Sequence, residues 1–297
     1  MAKRSFGSKM AEFILLYVSR PKTTDIKEYR KYLESLNKSI TVKPPVILTD
    51  IKSEMFEGMQ ILVFNNKQKN TQKTIFYLHG GAYIHQPLQA HYFALQEFAT
   101  KLDAKIIMPI YFKAPHFSYK DNYHIIVELY KKILSQTPNE KIIFMGDSAG
   151  GGFALSLAQY LRNENIAGPK RIVLFSPWLD LNTNNPEIAK YEKDDPMLAS
   201  WELQVDGEYW ANGKENMNNY LVSPIFGSFE NLGRISIFVG TREIFYPEVM
   251  KLCNILKSNE IDYDLFVGKE QNHVYVLYPI KEGQDARKKV IKLLSKD

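Results

Sequence analysis

A serine at position 148 stands among four glycines in the stretch MGDSAGGG, Met145 to Gly152. Glycine loses more backbone freedom on folding than any other residue, so this density marks a sharp turn or a close approach. A G-x-S-x-G turn between a strand and a helix lifts a serine hydroxyl out of a sheet as the nucleophile of acyl transfer. The motif alone arises by chance in about one chain in ten of this length, so its context carries the weight. A phosphate cradle is the rival reading, but no G-K-[ST] follows and the glycines are misplaced for G-x-G-x-x-G.

A hydroxyl is a weak nucleophile until a base takes its proton. Six histidines are available, His79, His85, His91, His116, His124 and His273. On a strand–turn–helix elbow the chain order is serine, acid, histidine. Only His273, in KEQNHVYVLYP, follows Ser148. The acid should come after the penultimate strand, and ISIFVGTREIFYPE offers Glu243, with Glu248 as a second candidate. Its work is to hold the imidazole in one tautomer and stabilise the imidazolium; either glutamate also suits a helix N-terminus. Donors for a developing oxyanion are expected from the backbone of YLHGGAYI, Tyr77 to Ile84, converging with the N–H of Ala149. His79, at a strand end, reads as a structural hydrogen-bonding group. No H-x-x-x-H or C-x-x-C spacing supports a metal, and no cofactor is expected.

These residues need a scaffold, and the chain alternates accordingly. Apolar runs predict strands at Thr74–Leu78, Ile106–Ile110, Ile142–Met145, Ile172–Phe175, Ile235–Val239 and Tyr263–Val267. Helical periods predict helices near 90–102, 119–135, 149–163, 247–258 and 285–295. Such alternation means crossover units and a mostly parallel sheet covered on both faces. Ahead of it, Val46–Phe56 and Met59–Phe64 read as a hairpin around Gly58. Asp25 opens a helix with Glu28 placed for a capping box, and Ile26, Tyr29, Leu33 and Leu36 share a face. Met10, Phe13, Ile14 and Tyr17 fall on one face of an earlier amphipathic helix. Between Phe175 and Ile235 no strong strand occurs, and all three tryptophans, Trp178, Trp201 and Trp210, lie there.

With 297 residues, 45% hydrophobic and 24% charged, the composition is globular. The net charge of +5 comes from dispersed lysines, with no basic cluster for nucleic acid. The single cysteine, Cys253, excludes internal disulfides and suits a reducing compartment. Lys3 and Arg4 before Phe13–Val18 mimic an export signal, but Glu12 abuts the run and Arg20-Pro21 follows without a cleavage site. No run approaches the ~18 apolar residues of a membrane span. The expectation is a cytoplasmic protein, and a homo-oligomer is compatible with it.

Taken together, HGGAY, GDSAGGG, SPWLDL, DPM, VSPIF, VGTRE and the final NHVY resemble the hormone-sensitive lipase family of α/β-hydrolases from about Thr74 onward. The resemblance implies an α/β-hydrolase fold with an eight-stranded, mostly parallel sheet. Residues 1–297 would form a single domain, with a helical cap from 1–45 and 180–220. It implies Ser148 as nucleophile, His273 as base, Glu243 as acid, and Gly81, Ala82 and Ala149 as oxyanion donors. Asp147 and Gly151 would support the turn. The chain departs from the family pattern at Ala82, at Glu243 in place of the usual aspartate, and in YFKAPHFSYKD. The expected function is a serine carboxylesterase acting on short- to medium-chain acyl esters. An amidase, deacetylase or peptidase on the same groups, or a ligand-binding protein, are the alternatives. The aromatics Trp178, Tyr191, Trp201, Tyr209 and Trp210 would line a pocket or form the core of the cap.

Overall fold

The computed structural model describes residues 4–18, 23–69 and 72–296. Among them, β1 (Ile51–Phe56), β2 (Met59–Phe64), β3 (Thr74–Leu78), β4 (Lys105–Ile110), β5 (Ile142–Asp147), β6 (Arg171–Phe175), β7 (Arg234–Arg242) and β8 (Tyr263–Asn272) form one sheet. Their order is β1-β2-β4-β3-β5-β6-β7-β8. The β1–β2 and β2–β4 pairs are antiparallel, and every other pair is parallel. This is the α/β-hydrolase fold, with the sheet as expected.

Successive side chains of a strand point to opposite faces, and this alternation sorts the apolar runs into two cores. Phe76, Leu78, Phe144, Ile172, Leu174 and Ile237 face one side. There they meet α4 (Tyr119–Leu134), α5 (Ser148–Asn163) and α8 (Tyr246–Ser258). Ile75, Tyr77, Ile143, Met145, Val173 and Phe238 face the other, against α3 (Gln89–Lys101) and α9 (Lys281–Leu294). Burial on both faces explains why these strands read as continuous hydrophobic runs rather than as alternating ones.

Three expectations are corrected. The first strand begins at Ile51, because 46–50 is a turn that follows Pro44-Pro45, with Val46 95% exposed. In α2 (Ile26–Ser35), Asp25 accepts from Lys27 N at 2.8 Å, but Glu28 accepts from Thr23 Oγ1 at 2.7 Å instead of closing a capping box. The earlier helix, α1 (Phe6–Val18), is present but packs by its polar face. Ser8 is buried and donates to Gln271 Oε1 at 2.9 Å; Glu12 accepts from Arg242 Nη2 at 3.0 Å. Met10, Phe13 and Ile14 consequently face outward, about half exposed. The side chain of Tyr17 and the Lys3 and Arg20-Pro21 flanks lie outside the described residues.

The strandless interval holds α6 (Ile188–Glu192) and α7 (Ser200–Trp210). Tyr29 of α2 donates from its hydroxyl to Asp206 Oδ1 of α7 at 2.9 Å, and its ring meets the Trp201 ring edge-on at 5.4 Å. Trp178 and Trp210 are fully buried, and Trp210 stacks on Tyr83 with ring centroids 4.2 Å apart. These two tryptophans are core. No helix of the described residues is long and apolar enough to cross a membrane.

Candidate active site

Ser148 begins α5 directly after β5, with φ +51°, a left-handed backbone that a non-glycine residue adopts at a cost of about 1–3 kcal/mol. The glycines make that turn feasible. A Cβ at Gly150 would lie 2.0 Å from Leu78 O, and one at Gly80 would lie 2.3 Å from Asp147 Oδ2. Strand β3 and the elbow therefore touch backbone to backbone.

The ends of β7 and β8 bring the other two side chains in. His273 Nε2 is 2.9 Å from Ser148 Oγ, and His273 Nδ1 is 2.7 Å from Glu243 Oε2. The carboxylate can only accept, so Nδ1 carries the proton and Nε2 is left to receive one from the serine. Glu243 is fully buried, and its other oxygen accepts from Gly240 N at 2.6 Å and Ser176 Oγ at 2.7 Å. Burial lowers the affinity of His273 for a proton, but the hydrogen bond and charge of Glu243, with Asp195 and Asp147 beyond, outweigh it and raise the pKa above the usual histidine value. Glu248 is not brought to this site. It accepts from Asn185 Nδ2 at 2.7 Å and lies 3.5 Å from Lys251 Nζ.

On the opposite side of Ser148 the turn after β3 has three consecutive left-handed residues, Gly81 (φ +117°), Ala82 (+53°) and Tyr83 (+64°). The Tyr83 hydroxyl donates to Ala149 O at 2.8 Å, and the Tyr111 hydroxyl to His79 O at 2.7 Å, fixing this turn against the elbow. Ala149 lies in the first turn of α5, whose N–H groups have no partner within the helix. His79 has the structural place expected of it, stacked on Tyr111 with Nδ1 2.6 Å from Gly80 O. Burial holds its pKa well below the usual value.

A second buried histidine–carboxylate pair supports this turn. Asp147 accepts from Gly80 N at 2.8 Å and from the Tyr77 hydroxyl at 2.7 Å, and its Oδ2 is 3.1 Å from His91 Nε2. Leu88 N donates to His91 Nδ1 at 2.9 Å, which leaves the proton on Nε2, toward the carboxylate. Burial would raise the Asp147 pKa, but His91 and the hydrogen bonds of Tyr77 and Gly80 pull it below the usual range. Asp147 thus supports the turn as expected.

Sequence reasoning assigned no role to three participants. His91 was set aside by its place before Ser148. Ser176 bridges Glu243 and Val274 N (3.1 Å), and Asp195 accepts from Met197 N and from Ile244 N beside Glu243. Burial pushes the Asp195 carboxyl up to about 6. The signal for Ser176 was available, since a polar residue directly after β6 stands where doubly covered sheets place their sites.

The chain is similar to known proteins of this fold. Residues 75–277 match the family described as alpha/beta hydrolase fold. The chain is 27% identical over 246 residues to an esterase of Acinetobacter venetianus, covering 82% of this chain and 80% of that one. It is 26% identical over 181 residues to an acetyl-hydrolase of Streptomyces hygroscopicus, covering 61% and 60%. A solved esterase of the bacterial hormone-sensitive lipase family superposes with a TM-score of 0.82 at 23% identity, covering 100% of this chain and 99% of that one. With the matched region running from β3 past His273, the chain belongs to the hormone-sensitive lipase family of α/β-hydrolases.

Proposed function

We propose that this chain is a carboxylic ester hydrolase, a serine carboxylesterase of short- to medium-chain acyl esters working in the cytoplasm. The observation that carries the reading is the single file of Glu243, His273 and Ser148, joined at 2.7 and 2.9 Å. In this reading His273 Nε2 takes the hydroxyl proton as Ser148 Oγ attacks the ester carbonyl. The N–H groups of Gly81, Ala82 and Ala149 receive the oxyanion. The imidazolium then passes its proton to the departing alkoxide, leaving an acyl-serine. Water, deprotonated by the same nitrogen, attacks that acyl group and frees the acid. In this reading the chain is one domain, and the cap over the site comes from the described residues of 1–45 and from 180–220, with α2 and α7 packed on each other.

The test is labelling with an aryl organophosphonate, read by intact mass and peptide mapping, beside hydrolysis of a short-chain aryl ester. One adduct on Ser148, with neither adduct nor turnover in a folded Ser148→Ala variant, is expected. Equal turnover in parent and variant would remove the nucleophile assignment. A parent that neither labels nor turns over would favour a binding protein.

A further inference from the structure

Lys113, in YFKAPHF, is the one buried lysine among the described residues. Its Nζ donates to Tyr111 O and lies 3.6 Å from the centroid of the Tyr111 ring. An ammonium has three donors, and no carboxylate of the described residues pairs with this one. Burying such a group without a counter-charge is costly, and the amine responds by giving up its proton. Burial accordingly holds Lys113 well below the usual lysine range.

The side chain lines a cavity of about 270 Å³ between the chain leaving α2 (Leu36 to Ser39), Ile84 to Gln86, and the 113–117 segment. The wall has apolar Leu36, Ile84 and Phe117, and basic Lys38, His85 and His116, but no Asp or Glu. The two acids of a neighbouring cavity are already engaged: Asp121 by Ser118 N and Oγ, Glu208 by Arg30. Ile84 N and His85 N both donate to Gly81 O, at 2.9 and 2.8 Å. The cavity wall is thus continuous with the turn that carries Gly81 and Ala82. Its volume, below the several hundred Å³ of drug-sized sites, suits a short chain.

We propose that this cavity is a subsite for a carboxylate at the far end of the substrate's acyl chain, held by Lys113 with Lys38 and His116 at the rim. The preferred substrates are then half-esters of short dicarboxylic acids. This rests on the esterase reading and narrows its substrate class. The apolar walls take the methylenes, and the carboxylate supplies the counter-charge that the protein withholds from Lys113.

The experiment compares an aryl half-ester of glutaric acid with the aryl ester of pentanoic acid, of equal chain length. The parent should have the higher kcat/KM for the half-ester. Lys113→Met should reduce the ratio of the two values by about tenfold or more, chiefly through KM, as expected for losing a hydrogen bond to a charged group. Lys113→Arg should keep it within about threefold. Free glutarate should raise the Tm of the parent and not that of Lys113→Met, a readout independent of hydrolysis. An unchanged ratio in Lys113→Met, or an equal Tm shift in parent and variant, overturns the subsite. A Lys113-dependent Tm shift in a parent that hydrolyses neither ester would sink the esterase reading and leave the subsite standing.

Discussion

Two buried histidine–carboxylate pairs flank Ser148, and they differ in one nitrogen. His273 gives Nδ1 to Glu243 and leaves Nε2 facing the serine hydroxyl. His91 gives Nε2 to Asp147 while its Nδ1 is occupied by Leu88 N. Burial depresses both imidazoles and a carboxylate lifts both above the usual value. Shifted pKa values therefore do not separate a base from a strut. What separates the two is a ring nitrogen that meets the Ser148 hydroxyl. In the proposed mechanism the first pair exchanges a proton, while the second holds the turn of Gly80 and Gly81 against the elbow.

Breaking the first pair should have the largest effects. His273→Gln should lower kcat by about 10⁴-fold or more, as loss of a triad histidine does. Glu243→Gln should approach 10⁴-fold, while Glu248→Gln stays within a few-fold; steady-state hydrolysis of one aryl ester, with circular dichroism for folding, checks all three. A crippled Glu248→Gln beside an active Glu243→Gln would reverse the roles. The pH profile sharpens the same point. The base works when neutral, so activity is lost as pH falls through the raised pKa of His273. Without the Glu243 charge that pKa drops, and the residual activity of Glu243→Gln should have its acid limb at lower pH than the parent.

Breaking the second pair should cost less and leave that limb alone. His91→Gln removes the clamp on Asp147 but no reacting group. We expect kcat lower by about 10- to 100-fold, the scale of a small misplacement of donors, with the acid limb unmoved. A displaced limb would mean that His91 belongs to the proton path. A smaller effect than that of His91→Gln is expected from Ala82→Gly, within about tenfold in either direction, since the oxyanion donor proposed there is a backbone N–H. Ala82 already has φ +53°, which glycine adopts without the Cβ penalty. A loss beyond ~10³-fold, more than one such donor is typically worth, would give the methyl a role of its own.

The contrast also shows what a sequence can carry. Ser148, His273 and Glu243 were legible because each sits at the end of an apolar run, where the order of strands dictates what meets. The strands themselves were legible because burial on both faces leaves unbroken runs such as Ile142–Met145. His91 was not, because its meeting with Asp147 is set by how α3 packs on the sheet and not by the order of the strands. The outward stripe of α1 was misread for a related reason. Periodicity reports that a helix has an apolar face, while the hydrogen bonds of Ser8 and Glu12 decided which face was covered. Tryptophans 178 and 210 had two readings until Tyr83 was seen stacked against one of them.

The pairing of α2 with α7 has a consequence for how the protein is made. The Tyr29 and Asp206 that join them are separated by 177 positions in the chain. At a synthesis rate of about 5–20 residues per second, α2 leaves the ribosome roughly 10–35 s before its partner exists. For that interval Tyr29 and Leu33, both buried in the finished molecule, have no α7 surface to pack against. Helix α2 is thus translated well before the surface that covers it, and a nascent chain halted before residue 200 presents its Tyr29 and Leu33 face as a ready target for a holding chaperone.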